Sequence, residues 1–356
     1  MKKRITIITI IVVIALVIIG ISIFGNKEFA GGTGTKEDPY LVSTAKHLNN
    51  VRNYMNKNFK QINDIDLSDY ENWKPIGNYN LEIKLGNGFM GTYDGNGYTI
   101  KNLKINKPEK ESLGLFGYIG SSKQKNQMGK IQNLKIENAE INGKRLIGIV
   151  AGVTSGKIEN VHVIGKLEGK EMIGGITGLN YYSSVEIPTI KKSSSDIEIK
   201  NGEATGGIAG VNAGIIKESK SKVKIESKDY VGGIAGINMN IIENTYATGE
   251  ASSEGTLGGL VGENQKESNL INSYTIVFLS GKETIGTTVG LNQGEMYGTY
   301  YDYSKSGNYN HSSGIAKPTE EMKEKKTYLQ YSKWDFENIW EIEDGKTYPY
   351  LKWEKN

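Results

Sequence analysis

A chain of 356 residues with 45 glycines, 6 prolines and no cysteine excludes disulfides, thiolate metal sites and cysteine nucleophiles; lacking a strict triplet period, it also excludes collagen. The formal charge of +3 comes from the N-terminus, because Lys2, Lys3, Arg4 and Lys27 face only Glu28 within residues 1–30, which leaves 39 basic and 39 acidic residues beyond them. A neutral remainder, with no basic patch interleaved with aromatics, argues against nucleic acid as a partner.

The first element is Ile5–Phe24, whose only polar side chains are Thr6, Thr9 and Ser22. About 20 apolar residues suffice to span a bilayer, whereas a cleaved signal has an apolar core of about 7–15. The basic flank stays inside, and Glu28-Phe29-Ala30 fits a cleavage site poorly. Residues 1–30 are predicted to be a signal-anchor or transmembrane helix. The membrane is then a partner through residues 5–24, with the bulk of the chain outside. Cleavage would make the protein secreted.

Residues 31–75 read as an N-terminal cap. Ser43-Thr44 precede Ala45–Arg52, a predicted helix with Leu48, Val51 and Tyr54 or Met55 on one face. Asp64, Asp66, Ser68 and Asp69 have an oxygen-rich spacing that suits calcium, although a strand entry with a turn explains them equally. Asp94-Gly95-Asn96-Gly97 reads as a turn.

The central region, residues 76–303, repeats one phrase: apolar-Gly-Gly-Ile-x-Gly-x-Asn. Its last glycines are Gly117, Gly152, Gly178, Gly210, Gly236, Gly262 and Gly290, separated by 35, 26, 32, 26, 26 and 28 residues. A second phrase, Ile-x-Asn followed by alternating residues, recurs at Ile131–Ile136, Ile158–Val163, Ile242–Ala247 and Leu270–Thr275. Short alternating runs are half-buried strands, and a fixed period means stacked structural units. The predicted fold is all-β, a parallel β-helix or solenoid with coils of about 26 residues stacked about 4.8 Å apart and right-handed winding.

Glycine serves corners and close backbone approach, and asparagine tolerates the left-handed region. Asn180, Asn212, Asn238, Asn264 and Asn292 should stack as a side-chain ladder. Asn102, Asn133, Asn160, Asn244 and Asn272 should form a second, interrupted by Lys192 and Glu218. The apolar residues three apart in Val231, Ile234 and Ile237 do not suit a flat strand.

Residues 304–356 read as a C-terminal cap with a helix opening at Thr319 and a strand-like aromatic stretch from Trp334 to Trp353. Tyr297, Tyr300, Tyr301, Tyr303 and Tyr309 crowd the last coil. Their rings either shut the hydrophobic core or form an exposed platform, with Tyr300, Tyr301 and Tyr303 as the candidate ligand-binding residues.

Chemistry is hard to find. His47, His162 and His311 lie far apart, and His162 falls on the outward side of a strand, where solvation is the simplest reading. After the leader only Arg52 and Arg145 remain as arginines. The scattered Lys/Glu pairs read as a charge-balanced surface, not as the two carboxylates about 5–10 Å apart that a glycosidase needs. No catalytic residue, metal ligand or cofactor is predicted.

Gly258-Gly259-Leu260-Val261-Gly262-Glu263-Asn264, followed by Asn272-Ser273-Tyr274, resembles the GLUG-motif proteins of bacterial surfaces. Asn63-Asp64-Ile65-Asp66-Leu67, the stretch Phe89–Tyr98 and Tyr348-Pro349-Tyr350-Leu351 add to the resemblance, which covers residues 31–353. It implies an extracellular β-helical region of the kind found in adhesin-like proteins and beside the catalytic part of metallopeptidases that cleave immunoglobulin A. The His-Glu-x-x-His motif of those peptidases is absent from this sequence. The expectation is therefore a non-catalytic, membrane-tethered extracellular repeat protein for adhesion, with a glycan or a host or cell-surface protein as partner. The alternatives are a carbohydrate-active β-helix enzyme, a polysaccharide lyase or glycoside hydrolase, and an inert stalk.

Overall fold

A computed structural model describes residues 28–355 except 123, 184, 307–312, 331 and 333. The predicted transmembrane helix, Tyr309 and His311 fall outside the described residues. Among the described residues no helix is long and apolar enough to cross a membrane.

One coil shows how the sequence makes the fold. Ala235–Asn238 forms one side; after a short turn, Ile241–Ser253 continues the coil, and Leu257–Gly258 leads into the next. The coils pair in parallel, with register shifts only near Ile136–Ala139 and Gly143–Arg145. Ile131, Ile158, Ile190, Ile216, Ile242 and Leu270 therefore stack in one column, and all six are fully buried. The strands that end the Gly-x-Asn phrase form their own seven-stranded parallel sheet among the described residues, from Phe116–Ile119 to Val289–Asn292.

One corner of each coil belongs to asparagine rather than glycine. Asn102, Asn133, Asn160, Lys192, Glu218, Asn244 and Asn272 all hold φ between 46° and 60°, the left-handed region that asparagine tolerates best. Lys192 and Glu218 thus keep the corner while breaking the run of amides. The repeat glycines do not have positive φ. Their role is close approach: a Cβ on Gly207 would lie 2.0 Å from the Gly233 carbonyl oxygen, and one on Gly233 would lie 2.3 Å from that of Gly259. The Gly-Gly bend also explains the three-residue apolar spacing. Val231 and Ile234 both reach the coil interior, whereas Ile237 packs in a separate cluster outside the coil, with Leu179 and Val211.

The N-terminal helix Ala45–Asn50 is capped by Thr44, whose hydroxyl accepts from the His47 N–H at 3.2 Å. It passes into a 3-10 turn at Val51–Asn53, with Leu48 and Val51 buried. Phe29, just before the expected cap, is buried and stacks on Tyr40 at 4.4 Å.

The C-terminal segment departs from expectation. Its rings do not shut the coil interior; they build a second core on the flank of the solenoid, around Tyr246, Tyr274, Tyr300, Tyr328, Trp334 and Trp340. The segment runs back down the rod. Tyr274 OH donates to the Pro349 carbonyl at 2.7 Å, Trp340 Nε1 to Asn244 Oδ1 at 3.0 Å, and Trp353 Nε1 to the Glu218 carbonyl at 2.8 Å.

Candidate functional site: an axial groove with a charged rail

Strand register places one outward side chain per coil in a continuous column: Lys104, Glu140, Lys166, Glu198, Lys224, Glu250 and Phe278. The charges alternate along six coils and end on a phenylalanine that is 56% exposed. Alternate rungs are ion-paired, Lys104 with Glu140 at 3.9 Å, Lys166 with Glu198 at 3.3 Å and Lys224 with Glu250 at 3.9 Å. The Lys166 ammonium holds the Glu198 carboxyl below the usual carboxylate range, chiefly through its hydrogen bond.

This column forms one wall of a groove of about 1380 Å³ that follows the rod axis. Its floor is the neighbouring column Ala139, Gly165, Ile197, Val223 and Gly249. The side chains of that column point inward, where Ala139, Ile197 and Val223 join the core, so the groove floor is formed by their backbone. The far end of the groove is lined by Tyr70, which meets Trp73 edge to face at 5.2 Å. The rail was legible in the sequence only after aligning its members on the coil period: their spacings of 36, 26, 32, 26, 26 and 28 nearly duplicate those of the glycines. Without that alignment they read as scattered pairs.

The asparagine ladder is present. Each amide donates to the next coil, Asn180 to Asn212 and Asn212 to Asn238 at 2.8 Å, then Asn238 to Asn264 and Asn264 to Asn292 at 2.9 Å. The first four are fully buried. The second column bonds side chain to side chain where amides adjoin, as in Asn160 Nδ2 to Asn133 Oδ1 at 2.9 Å.

Tyr300, Tyr301 and Tyr303 do not form one exposed platform. Tyr300 is fully buried, with its hydroxyl donating to the Thr327 carbonyl at 3.0 Å. Tyr301 is 6% exposed, and Tyr303 alone of the three reaches solvent. The flank core absorbs Tyr300 because the C-terminal segment returns along that side, whereas Tyr301 faces the other way and continues the column of Ala247 and Thr275.

His162 is not a solvated surface residue. It stacks under Trp353, accepts or donates at Ser194 Oγ at 2.9 Å, and burial lowers its pKa to about 4, with Lys135 and Lys220 acting in the same direction. Among the described residues, both arginines brace the scaffold. Arg52 donates to the Lys74 and Pro75 carbonyls at 2.8 and 3.1 Å. Arg145 binds Glu111 at 2.5 Å and Glu82 at 3.2 Å, which fastens the hairpin of Asn78–Asn80 and Leu85–Asn87 to the rod. Asp64 accepts from the Thr99 N–H at 2.9 Å, and Asp66 from Ser68 N–H and Asn102 Nδ2 at 2.8 Å, so both carboxylates tie turns to the adjacent coil.

Fold and groove together define a parallel β-solenoid with a charged axial face. No family profile matches the chain. It is 39% identical over 148 residues to a protein of Evansella cellulosilytica provisionally named a Gly-rich membrane protein, a span covering 39% of this chain and 16% of that one. It is 35% identical over 164 residues to halomucin of Haloquadratum walsbyi, covering 43% of this chain and 2% of halomucin. A 30% match over 172 residues to the immunoglobulin A1 protease of Streptococcus pneumoniae covers 41% of this chain and 8% of the protease. The matched spans are thus less than a fifth of each relative's length. Among solved structures, a Bacteroides ovatus protein provisionally named an immunoglobulin A1 protease superposes with a TM-score of 0.58 at 23% identity, covering 92% of this chain and 96% of that one. That likeness is one of fold.

Proposed function

We propose that the chain is a non-catalytic repeat protein of the bacterial cell surface, of GLUG type, tethered through residues 5–24 and presenting the axial groove for adhesive contact. The observation that carries this reading is the unbroken rail from Lys104 to Phe278 on one face. Elsewhere the notable residues serve the coil itself. The names of two relatives, a membrane protein and halomucin, support a place in the cell envelope.

The carbohydrate-active alternative requires a carboxyl whose pKa is raised so that it can act as an acid. Glu198, midway along the groove, is shifted the other way, and its neighbours on the rail are lysines.

The test uses residues 28–356, which hold every apolar cluster of the described chain. The protein is applied to a glycan array and to host-cell and cell-wall surfaces, with product analysis of each glycan it contacts. Binding without turnover is expected, and it should be lost when the six rail charges are replaced by serine. Turnover of any acidic or neutral glycan would overturn the non-catalytic reading. Absence of contact with every surface, one bearing the same protein included, would leave an inert stalk.

A further inference from the structure

We infer that the rail is a self-complementary face whose partner is a second copy of this chain, bound antiparallel. The inference names the partner for the surface-contact reading and rests on it. A rail of six alternating charges has a symmetry that an odd number would lack. Consider a two-fold axis lying in the face, parallel to the strands, between the coils of Lys166 and Glu198. It sets Lys104 opposite Glu250 of the partner subunit, Glu140 opposite Lys224 of the partner subunit and Lys166 opposite Glu198 of the partner subunit. Each of these contacts occurs twice, so all six charges meet an opposite charge.

The neighbouring column obeys the same operation. There Asn106, Asn142, Glu168, Lys200, Glu226 and Ser252 stack in register, and the axis brings Glu168 onto Lys200 of the partner subunit. Beyond the charges it carries Phe278 to the groove end lined by Tyr70 of the partner subunit, giving the most exposed ring of the face an aromatic neighbour. An axis along the rod instead would set each charge on its own copy, Lys104 on Lys104, and like charges opposed across an interface are disfavoured. One symmetry therefore satisfies the pattern.

Six coil steps of about 4.8 Å and a width of about 20 Å give roughly 600 Å² per copy, so the total sits at the lower edge of specific interfaces. Exposed ion pairs are individually weak and screened by salt, which makes this a reversible, salt-sensitive association. Antiparallel rods have their N-termini at opposite ends. Two rods rooted on facing membranes would meet in this way, so the pairing suits contact between cells.

Sedimentation of residues 28–356 at low and high ionic strength tests this, alongside two variants checked for fold by circular dichroism. One carries Lys104→Glu, Lys166→Glu and Lys224→Glu; the other Glu140→Lys, Glu198→Lys and Glu250→Lys. The native chain should dimerise at low salt and dissociate at high salt. Each variant should remain monomeric alone, while a mixture of the two should form a one-to-one pair at least about tenfold tighter than either with itself. Because the chain has no cysteine, a form bearing Glu71→Cys and Phe278→Cys should give an oxidised dimer linked between those positions, even if the charge variants fail to fold. A native chain that is monomeric at low salt, or single-sign variants that dimerise as well as it does, would overturn the pairing. A monomeric chain whose groove takes up a glycan would also overturn the pairing while leaving the surface-contact reading intact.

Discussion

His162 and Trp353 stack ring on ring at a centroid distance of 5.2 Å and an angle of 28°, joining a mid-rod coil to the end of the chain. Burial lowers the imidazole pKa to about 4 from an ordinary value of 6.5. Between those values the unfolded chain binds a proton that the folded chain does not. The stability from this contact is therefore complete above pH 6.5, falls as pH drops toward 4 and is constant below that. The loss is at most about 3 kcal/mol, and less to the extent that water reaches the ring. Tryptophan fluorescence should report the C-terminal segment loosening in this window. In Trp353→Ala, the pKa of His162 followed by NMR should rise toward 6.5.

The asparagine ladder should matter most at its centre. Asn238 is fully buried, accepts from Asn212 and donates to Asn264, so Asn238→Ala orphans groups in two coils. A cost of about 2–4 kcal/mol is expected in urea unfolding, against less than about 1 kcal/mol for Asn292→Ala at the exposed end.

The ladder also has an unfinished end. Asn180 Oδ1 is buried without a hydrogen-bond donor, and the residue in register with it one coil earlier is Thr154. Every later amide donates forward, so Thr154→Asn should supply the missing bond. Its unfolding midpoint should rise, with a gain of about 1 kcal/mol.

Glycines should separate by mechanism. In Gly233→Ala the new methyl would lie 2.3 Å from the Gly259 carbonyl oxygen and 2.5 Å from Ala247 Cβ. A loss of about 3 kcal/mol or more, or failure to fold, is expected. Gly97 has φ +83° with nothing within 4 Å, so Gly97→Ala should cost only about 1 kcal/mol, from backbone conformation.

The coil was legible because period and composition agree: one inward isoleucine and one ladder asparagine recur in step. Their stacking requires only parallel register, which equal spacing supplies. The position of Trp353 was not legible, since a segment can dock along a flank without any local pattern that names its partner. Tyr300 and Tyr301 were ambiguous for the same reason, because an aromatic side chain serves a binding platform and a core equally well. The groove lay between these extremes. Its lysines and glutamates are ordinary surface residues singly, and they become a rail only when Lys104 through Glu250 are set in register. His162 was placed on the correct outward side of its strand, but what covers that side comes from the far end of the chain.

Adhesion of beads carrying residues 28–356 through their N-termini, measured as detachment force, tests the role of the rail most directly. Native beads should adhere to a surface bearing the same protein, and serine at all six rail positions should abolish that adhesion without shifting the melting transition. Undiminished adhesion of the serine variant would contradict the account, as would native beads that fail to adhere at low ionic strength.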